Sequence, residues 1–214
     1  VSQRWSEYAR EPRDSYPTPA WVTAALVPHI PDIARRRLWE PACGSGQMLH
    51  ELQKHCPDVR GTDIDSGVDF RHATNDSGAD TIITNPPFGQ AQPFIEHALN
   101  LTRPHAGMVC MLLRVDYDSA KTRQHLFAQH PAFARKLTLT RRIVWFERPG
   151  AAPSFNHAWF IWSWRHSGPP ILAYGPDGAV PAEYDANKDF SESIADCYTA
   201  IRARKAASGP GWPA

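Results

Sequence analysis

No stretch of this chain is apolar for the roughly twenty residues that a membrane-crossing helix needs, and no basic segment followed by an apolar leader stands at its front. The expectation is a soluble, cytoplasmic protein with no membrane partner. Cysteine is scarce: Cys43, Cys56, Cys110 and Cys197 are far apart and form no Cys-x-x-Cys pair. That spacing speaks against a zinc site and a disulfide framework and suits a reducing compartment, so no metal is expected. Both common nucleotide fingerprints are missing. After Gly44-Ser45-Gly46 the third glycine of the dinucleotide motif is replaced by Leu49, and no Gly-Lys-Ser/Thr follows to make a phosphate loop. There is no internal repeat. Net charge is also small, since 23 Lys and Arg face 22 Asp and Glu. The 214 residues have room for one sizeable α/β core and not for two full domains.

What is present starts with Asn85-Pro86-Pro87-Phe88, directly behind the apolar run Thr81-Ile82-Ile83-Thr84. This order sets a side-chain amide and rigid carbonyls at the carboxyl end of a strand. Proline fixes φ and removes a backbone donor, and the residue before it is held extended, so the turn is shaped in advance. An NH2 group conjugated to a ring or amide has a delocalised lone pair. Two acceptors on its hydrogens, here the Asn85 oxygen and the Pro86 carbonyl, localise that pair and make the nitrogen nucleophilic. Phe88 offers a face on which a flat group stacks. Read alone, the tetrapeptide is equally an ordinary turn.

Leu38 to Gly46 followed by Gln47 to Lys54 reads as strand, glycine turn and helix. Gly44 and Gly46 let the backbone approach a ligand closely, Ala42 lies within the same turn, and Glu40 is placed to meet a cation. Val59 to Asp65 is a short strand ending in carboxylates, where Asp63 is placed to take two ribose hydroxyls; read alone, it is a helix cap or turn residue. In Val68-Asp69-Phe70 a carboxylate stands beside a ring, able to accept from an adenine amino group and to pack its face, although an isolated Asp69 is most often a solvated surface acid.

In this order the motifs resemble the class I S-adenosylmethionine-dependent methyltransferases, and among them the adenine-N6 DNA methyltransferases of the gamma arrangement. Glu40 to Gly46 is similar to that family's cofactor loop, Thr62-Asp63-Ile64-Asp65 to its ribose motif, Asp69-Phe70 to its adenine motif and Asn85 to Phe88 to its catalytic motif. Upstream, Tyr16-Pro17-Thr18-Pro19 ahead of a helical stretch looks like the motif that closes over the methionine end of the cofactor. The likeness covers roughly residues 14 to 165 and is strongest from 38 to 89. It implies a Rossmann-like, doubly wound, mostly parallel sheet with an antiparallel last strand pair, S-adenosylmethionine as cofactor, and methylation of the adenine N6 amino group in DNA. RNA base methylation, protein glutamine methylation and an inactive methyltransferase-like binding module are the alternatives. The family places a second stacking aromatic after the sixth strand, for which Phe146 is the first candidate and Phe155 the second.

Charge is segregated along the chain. Between 40 and 100 nine acids face three bases, and between 103 and 148 nine bases face three acids. A basic half beside an acidic cofactor half suits phosphate contact. The remaining pattern predicts a helix at Phe94 to Arg103, a buried strand at Met108 to Leu113, a helix at Asp118 to His130, one or two strands within 137–146, and an aromatic strand at Ala158 to Trp164. The expectation is a single domain over 1–214, with a core at 14–165, an irregular arm at 166–188 and a closing helix at 189–207. Trp145, Trp159, Trp162 and Trp164 read as core, and His157 as a structural histidine with a substrate contact as the alternative. No segment is large enough for a separate target-recognition domain, so short or relaxed recognition, a specificity-supplying partner or a homodimer is expected.

Overall fold

A computed structural model of the protein describes residues 16–145 and 155–175. Seven strands form one sheet in the order β2-β1-β3-β4-β6-β5-β7. They are β1 (Leu38–Glu40), β2 (Val59–Gly61), β3 (Thr81–Thr84), β4 (Met108–Arg114), β5 (Phe133–Leu139), β6 (His157–Ser163) and β7 (Ile171–Gly175). β2, β1, β3 and β4 run parallel, while β6 is antiparallel to both β4 and β5. The expected α/β sheet with an antiparallel element at its far side is therefore what forms. The described helices are α1 (Ala20–Leu26), α2 (Gln47–Gln53) and α3 (Ala91–Thr102).

The pattern of apolar residues explains the two layers. In β3 and β4 nearly every position is buried, as expected for parallel strands covered on both faces, and successive residues go to opposite cores. Ile82, Val109, Met111, Phe160 and Trp162 pack on the α3 side. Ile83, Cys110, Leu112, Trp159 and Ile161 pack on the other side with Val22 and Leu26 of α1 and Met48 and Leu52 of α2. α3 forms because Ala91, Phe94, Ile95, Ala98, Leu99 and Thr102 share one buried face at helical spacing. Gly107 then admits β4 beside the loop before β3: a Cβ there would lie 2.0 Å from the Asp80 carbonyl oxygen, to which Met108 donates its amide. Tryptophan indoles are built in by hydrogen bonds, Trp159 to the Val22 carbonyl at 2.9 Å and Trp162 to that of Leu126 at 2.6 Å. That agrees with their reading as core residues.

Three elements differ from expectation. Residues 118–130 form 3-10 turns at Tyr117–Ser119 and Lys121–Leu126 instead of an α-helix. The strand expected near 137–146 is displaced toward the amino end as β5, and 143–145 lie outside it. Within the stretch expected as an irregular arm, Ile171–Gly175 pairs in parallel with β5 as β7. Phe146 and the helix expected at 189–207 lie outside the described residues.

Candidate functional site

The strand order reverses between β1 and β3, so the crevice outside their carboxyl ends is where a doubly wound sheet takes a ligand. A cavity of about 230 Å³ lies there. Its size is just under the common range of roughly 300–1,000 Å³ for small-molecule sites. Glu40 ends β1 and Asn85 follows β3 directly, and both line it.

The glycine loop between β1 and α2 forms one wall. Gly44 and Gly46 take positive φ values of 48° and 82°, which only glycine adopts at little cost. Asp63 holds this loop: its Oδ2 accepts from the Gly44 amide at 2.8 Å and its Oδ1 from the Asp65 amide at 3.0 Å. Asp63 is thus a cap of the turn at Ile64–Ser66, and it also lines the cavity. Two backbone bonds leave an ionised carboxylate with further acceptor sites, so the capping and ligand-facing readings of Asp63 coexist. Next to it Ile64 keeps 56% of its surface exposed on the cavity wall, an unusual place for a large aliphatic side chain unless something packs on it.

Glu40 is almost fully buried, and its Oε2 has no hydrogen-bond partner. Burial, and then the nearby Asp63 charge, push its carboxyl up to about 8. Farther along the chain, Asp69 is committed differently from expectation. Its two oxygens take a fork from Arg71, Nε at 2.9 Å and Nη2 at 2.6 Å, and a third contact from His72. The Arg71 pairing holds the Asp69 carboxyl well below the usual range. The remaining Arg71 Nη1 donates to Gln90 Oε1 at 3.3 Å, so one guanidinium ties the Asp69 turn to the segment after Phe88. Phe70 lines the cavity but is largely committed to the core, edge-on to Trp39 at 5.2 Å.

Asn85 is oriented by its donor side. Nδ2 donates to the Tyr16 carbonyl at 3.3 Å and to Thr18 Oγ1 at 3.2 Å, which leaves Oδ1 buried and without a partner. The Tyr16 to Pro19 segment therefore fixes the direction of the Asn85 carbonyl, a task beyond the closing role expected for it. Tyr16, Pro17, Thr18, Ala42 and Pro87 also line the cavity. Pro19, Gly46, Pro86 and Phe88 do not. Pro19 starts α1, accepting from the Val22 amide at 2.9 Å, and Pro86 is buried.

Phe88 belongs to a second group. Its ring centroid lies 5.6 Å from Tyr16 and 6.2 Å from His157, and Trp145 closes the set at 5.5 Å from Tyr16 and 5.3 Å from His157. His157 opens β6, opposite the end of β4, which brings it to the same sheet edge. Its Nδ1 faces the Phe155 carbonyl at 2.7 Å, and its Nε2 is buried without a partner. Burial lowers this imidazole to about 4, so it is neutral near pH 7. The Phe155 ring sits under the Arg114 guanidinium at 4.4 Å.

The basic half is less free than its charge count suggests. Arg114 pairs with Asp116 and Lys136 with Asp118. Arg123 donates to the Tyr117 carbonyl, and Arg135 to His29 Nδ1 at 2.6 Å. Arg141 and Arg142 are exposed, and Arg141 lies over the Trp21 ring at 4.6 Å. Sequence reasoning missed Gln47, Arg71, Gln90 and Phe94 among the cavity-lining residues. Only Arg71 carried a signal, as a cation two residues after a candidate ligand acid. Among the described residues no group of three or more His, Cys, Asp or Glu is arranged to hold a metal, and no helix is long and apolar enough to cross a membrane.

No protein-family model matches the chain, and no curated protein matches it by sequence. Solved structures do. A provisionally assigned RNA methyltransferase of Pyrococcus horikoshii aligns over 71% of this chain and 87% of its own, at 14% identity and a TM-score of 0.56. The methyltransferase subunit of a type I restriction-modification system of Streptococcus thermophilus aligns over 71% of this chain at 14% identity and a TM-score of 0.50. The modification subunit of a provisionally assigned type I restriction enzyme of Vibrio vulnificus does so over 89% at 16% identity and a TM-score of 0.50. The chain spans 45% of the Streptococcus subunit and 53% of the Vibrio subunit. At this level of identity the likeness establishes the fold: the chain has the Rossmann-like, seven-stranded α/β architecture of these methyltransferases.

Proposed function

We propose that the protein is an S-adenosylmethionine-dependent methyltransferase acting on an exocyclic amino group, with adenine N6 in DNA as its target. The observation that carries this reading is that two residues lining one cavity, Glu40 and Asn85, each hold a buried, unpartnered oxygen, Oε2 and Oδ1. Leaving a buried polar atom unsatisfied costs about 1–3 kcal/mol, so two such residues around one cavity call for a ligand with donors. The cofactor fits this donor set: Glu40 suits its ammonium, the spare acceptor sites of Asp63 its ribose diol, and Ile64 a flat apolar face. When bound, it supplies a methyl group on a sulfonium. An adenine amino group reaches Asp69 by sharing or displacing the Arg71 fork.

The protein's own work is to make the target nitrogen nucleophilic. Asn85 Oδ1, aimed by Tyr16 and Thr18, accepts one amino hydrogen, and the Pro86 carbonyl takes the other. The interaction strengthens as nitrogen becomes tetrahedral and positive, which is where stabilisation raises the rate. The cationic nitrogen then gives its extra proton to solvent, so neither metal nor strong base is needed. A base must leave its stack to reach the turn, and the rings beside Phe88 supply the stacking surface. The Streptococcus and Vibrio likenesses support DNA as the substrate, and the Pyrococcus likeness supports RNA as the second reading. Recognition of a sequence by a partner subunit or by a second copy belongs to the same proposal.

The test is to incubate the full chain with methyl-labelled S-adenosylmethionine and DNA, RNA or unfolded polypeptide in separate reactions. Label in DNA is the expected result. Label in RNA alone would establish the second reading, and label in polypeptide alone would overturn both.

A further inference from the structure

We infer that Glu40 carries a proton in the ligand-free cavity and gives it to solvent when a ligand's ammonium seats against it, so that this residue selects ligands bearing an ammonium. The inference deepens the proposed function and rests on its cofactor reading. Three observations support it. Glu40 is 2% exposed at the end of β1 and is one of the residues lining the cavity, and its buried Oε2 has no hydrogen-bond partner. An ionised carboxylate so placed has lost its water and gained no cation, and burial of that kind favours the neutral acid.

The surrounding groups point the same way. Asp63, reaching in from the end of β2, and Cys43, on the glycine loop, both interact with Glu40. A carboxylate at Asp63 disfavours a second negative charge beside it. The Leu49 backbone amide of α2 acts in the opposite sense and is the lesser influence. Asp65, Asp69 and Arg71 also line the cavity, but the Arg71 guanidinium is taken by Asp69 at 2.6 Å. Among the described residues Glu40 therefore has an unpartnered acceptor, an acidic neighbour and no cation of its own.

An ammonium changes this balance. It donates to Oε2, and its charge favours the ionised carboxyl, so the carboxyl O–H bond breaks and its proton passes to solvent. The ammonium keeps its own three hydrogens. The net step is neutral acid plus ammonium giving an ion pair plus one released proton. A ligand with the same purine and ribose but a neutral thioether and no amino-acid portion brings no ammonium and leaves Glu40 protonated, whereas S-adenosylhomocysteine, a neutral thioether that keeps the ammonium, still drives the exchange.

Calorimetric titration at about pH 6.5, repeated in buffers of different ionisation enthalpy, counts protons without any catalytic readout. S-adenosylmethionine and S-adenosylhomocysteine, which share the ammonium but not the sulfonium charge, should each release close to one proton per molecule bound, and 5′-methylthioadenosine close to none. The affinity for S-adenosylmethionine should rise about tenfold per pH unit between about pH 6 and about pH 7.5. In Glu40→Gln both the release and that slope should vanish while 5′-methylthioadenosine binds as before. Equal proton release by S-adenosylmethionine and 5′-methylthioadenosine, no release by S-adenosylhomocysteine, or unchanged release in Glu40→Gln would overturn the exchange while leaving the cofactor reading intact. Failure of the unmodified chain to bind either ligand would overturn the cofactor reading and this inference together.

Discussion

Asn85 separates two unlike regions of the same sheet edge. On the β1 side is a cavity whose wall holds Glu40, Asp63 and the glycine loop, fixed by backbone hydrogen bonds and edged with unpartnered acceptors. On the β6 side is an aromatic group, Tyr16, Phe88, Trp145 and His157, whose rings pack against one another at 5.3–6.2 Å. The first region is shaped to receive a ligand's donors. The second packs its rings against one another and leaves the buried His157 Nε2 without a partner, so a flat substrate would enter by parting them. On the proposed function, cofactor binding belongs to the preorganised cavity and a costlier, rearranging substrate step to the aromatic side, with Asn85 and Tyr16 serving both.

The largest expected effect tests the residue between them. Asn85→Ala should cut single-turnover methyl transfer by roughly a hundredfold or more, the scale for removing one preorganised polar group, while cofactor affinity measured by calorimetry falls far less. Equal losses in rate and cofactor affinity would merge the two regions into one.

Next comes Asp63→Ala on the cavity side. It should weaken S-adenosylmethionine by about 1 to 3 kcal/mol, and it should also lower the melting temperature, because the Gly44 and Asp65 amides lose their acceptor. Unchanged affinity together with a lowered melting temperature would reduce Asp63 to a cap.

The two sides should also respond oppositely to pH. Glu40 has a raised folded-state value, so the native state holds more protons than the unfolded chain between the ordinary carboxyl range and about 8, and stability falls as pH rises through that window. His157 and His29 are both lowered to about 4. There the unfolded chain holds more protons, and stability falls as pH drops from the ordinary imidazole range toward 4. Thermal melting of the ligand-free protein should show Glu40→Gln more stable than the parent near pH 8 and indistinguishable from it near pH 4. A uniform offset at both would contradict the burial argument.

The smallest expected effect concerns the exposed cations. If Arg141 and Arg142 meet phosphates, neutralising both should flatten the salt dependence of DNA binding by about one unit of slope for each arginine–phosphate pairing removed. Cations already paired, such as Lys136 with Asp118, should leave the slope unchanged when replaced.

Much of the cavity side was legible because its signals are local. Gly44 and Gly46 mark a turn that needs positive φ, Asp63 follows a short strand, and the Asn-Pro-Pro run is rigid wherever it occurs. The order of these motifs carried the family resemblance, and that resemblance implied the sheet. The far side was harder to read because its structure depends on pairing between distant segments. β7 hid in a stretch whose Pro169-Pro170 and glycines look like loop, yet proline is tolerated at the start of an edge strand. Residues 117–126 carry helix-forming side chains but tighten into 3-10 turns, with the Arg123 guanidinium taking the Tyr117 carbonyl. The charge count between 103 and 148 could not reveal that most described cations there are internally engaged. Nor does any sequence pattern show which buried atoms lack partners, and the proposed function rests on the orphaned oxygens of Glu40 and Asn85.

The most direct measurement is the position of the transferred methyl. DNA incubated with the protein and S-adenosylmethionine should yield N6-methyladenine on nucleoside mass spectrometry, and the same incubation with Asn85→Ala should yield almost none. Methyl found on a ring atom, or N6-methyladenine formed as fast by Asn85→Ala as by the parent, would contradict the amino-polarising role of the Asn85 turn.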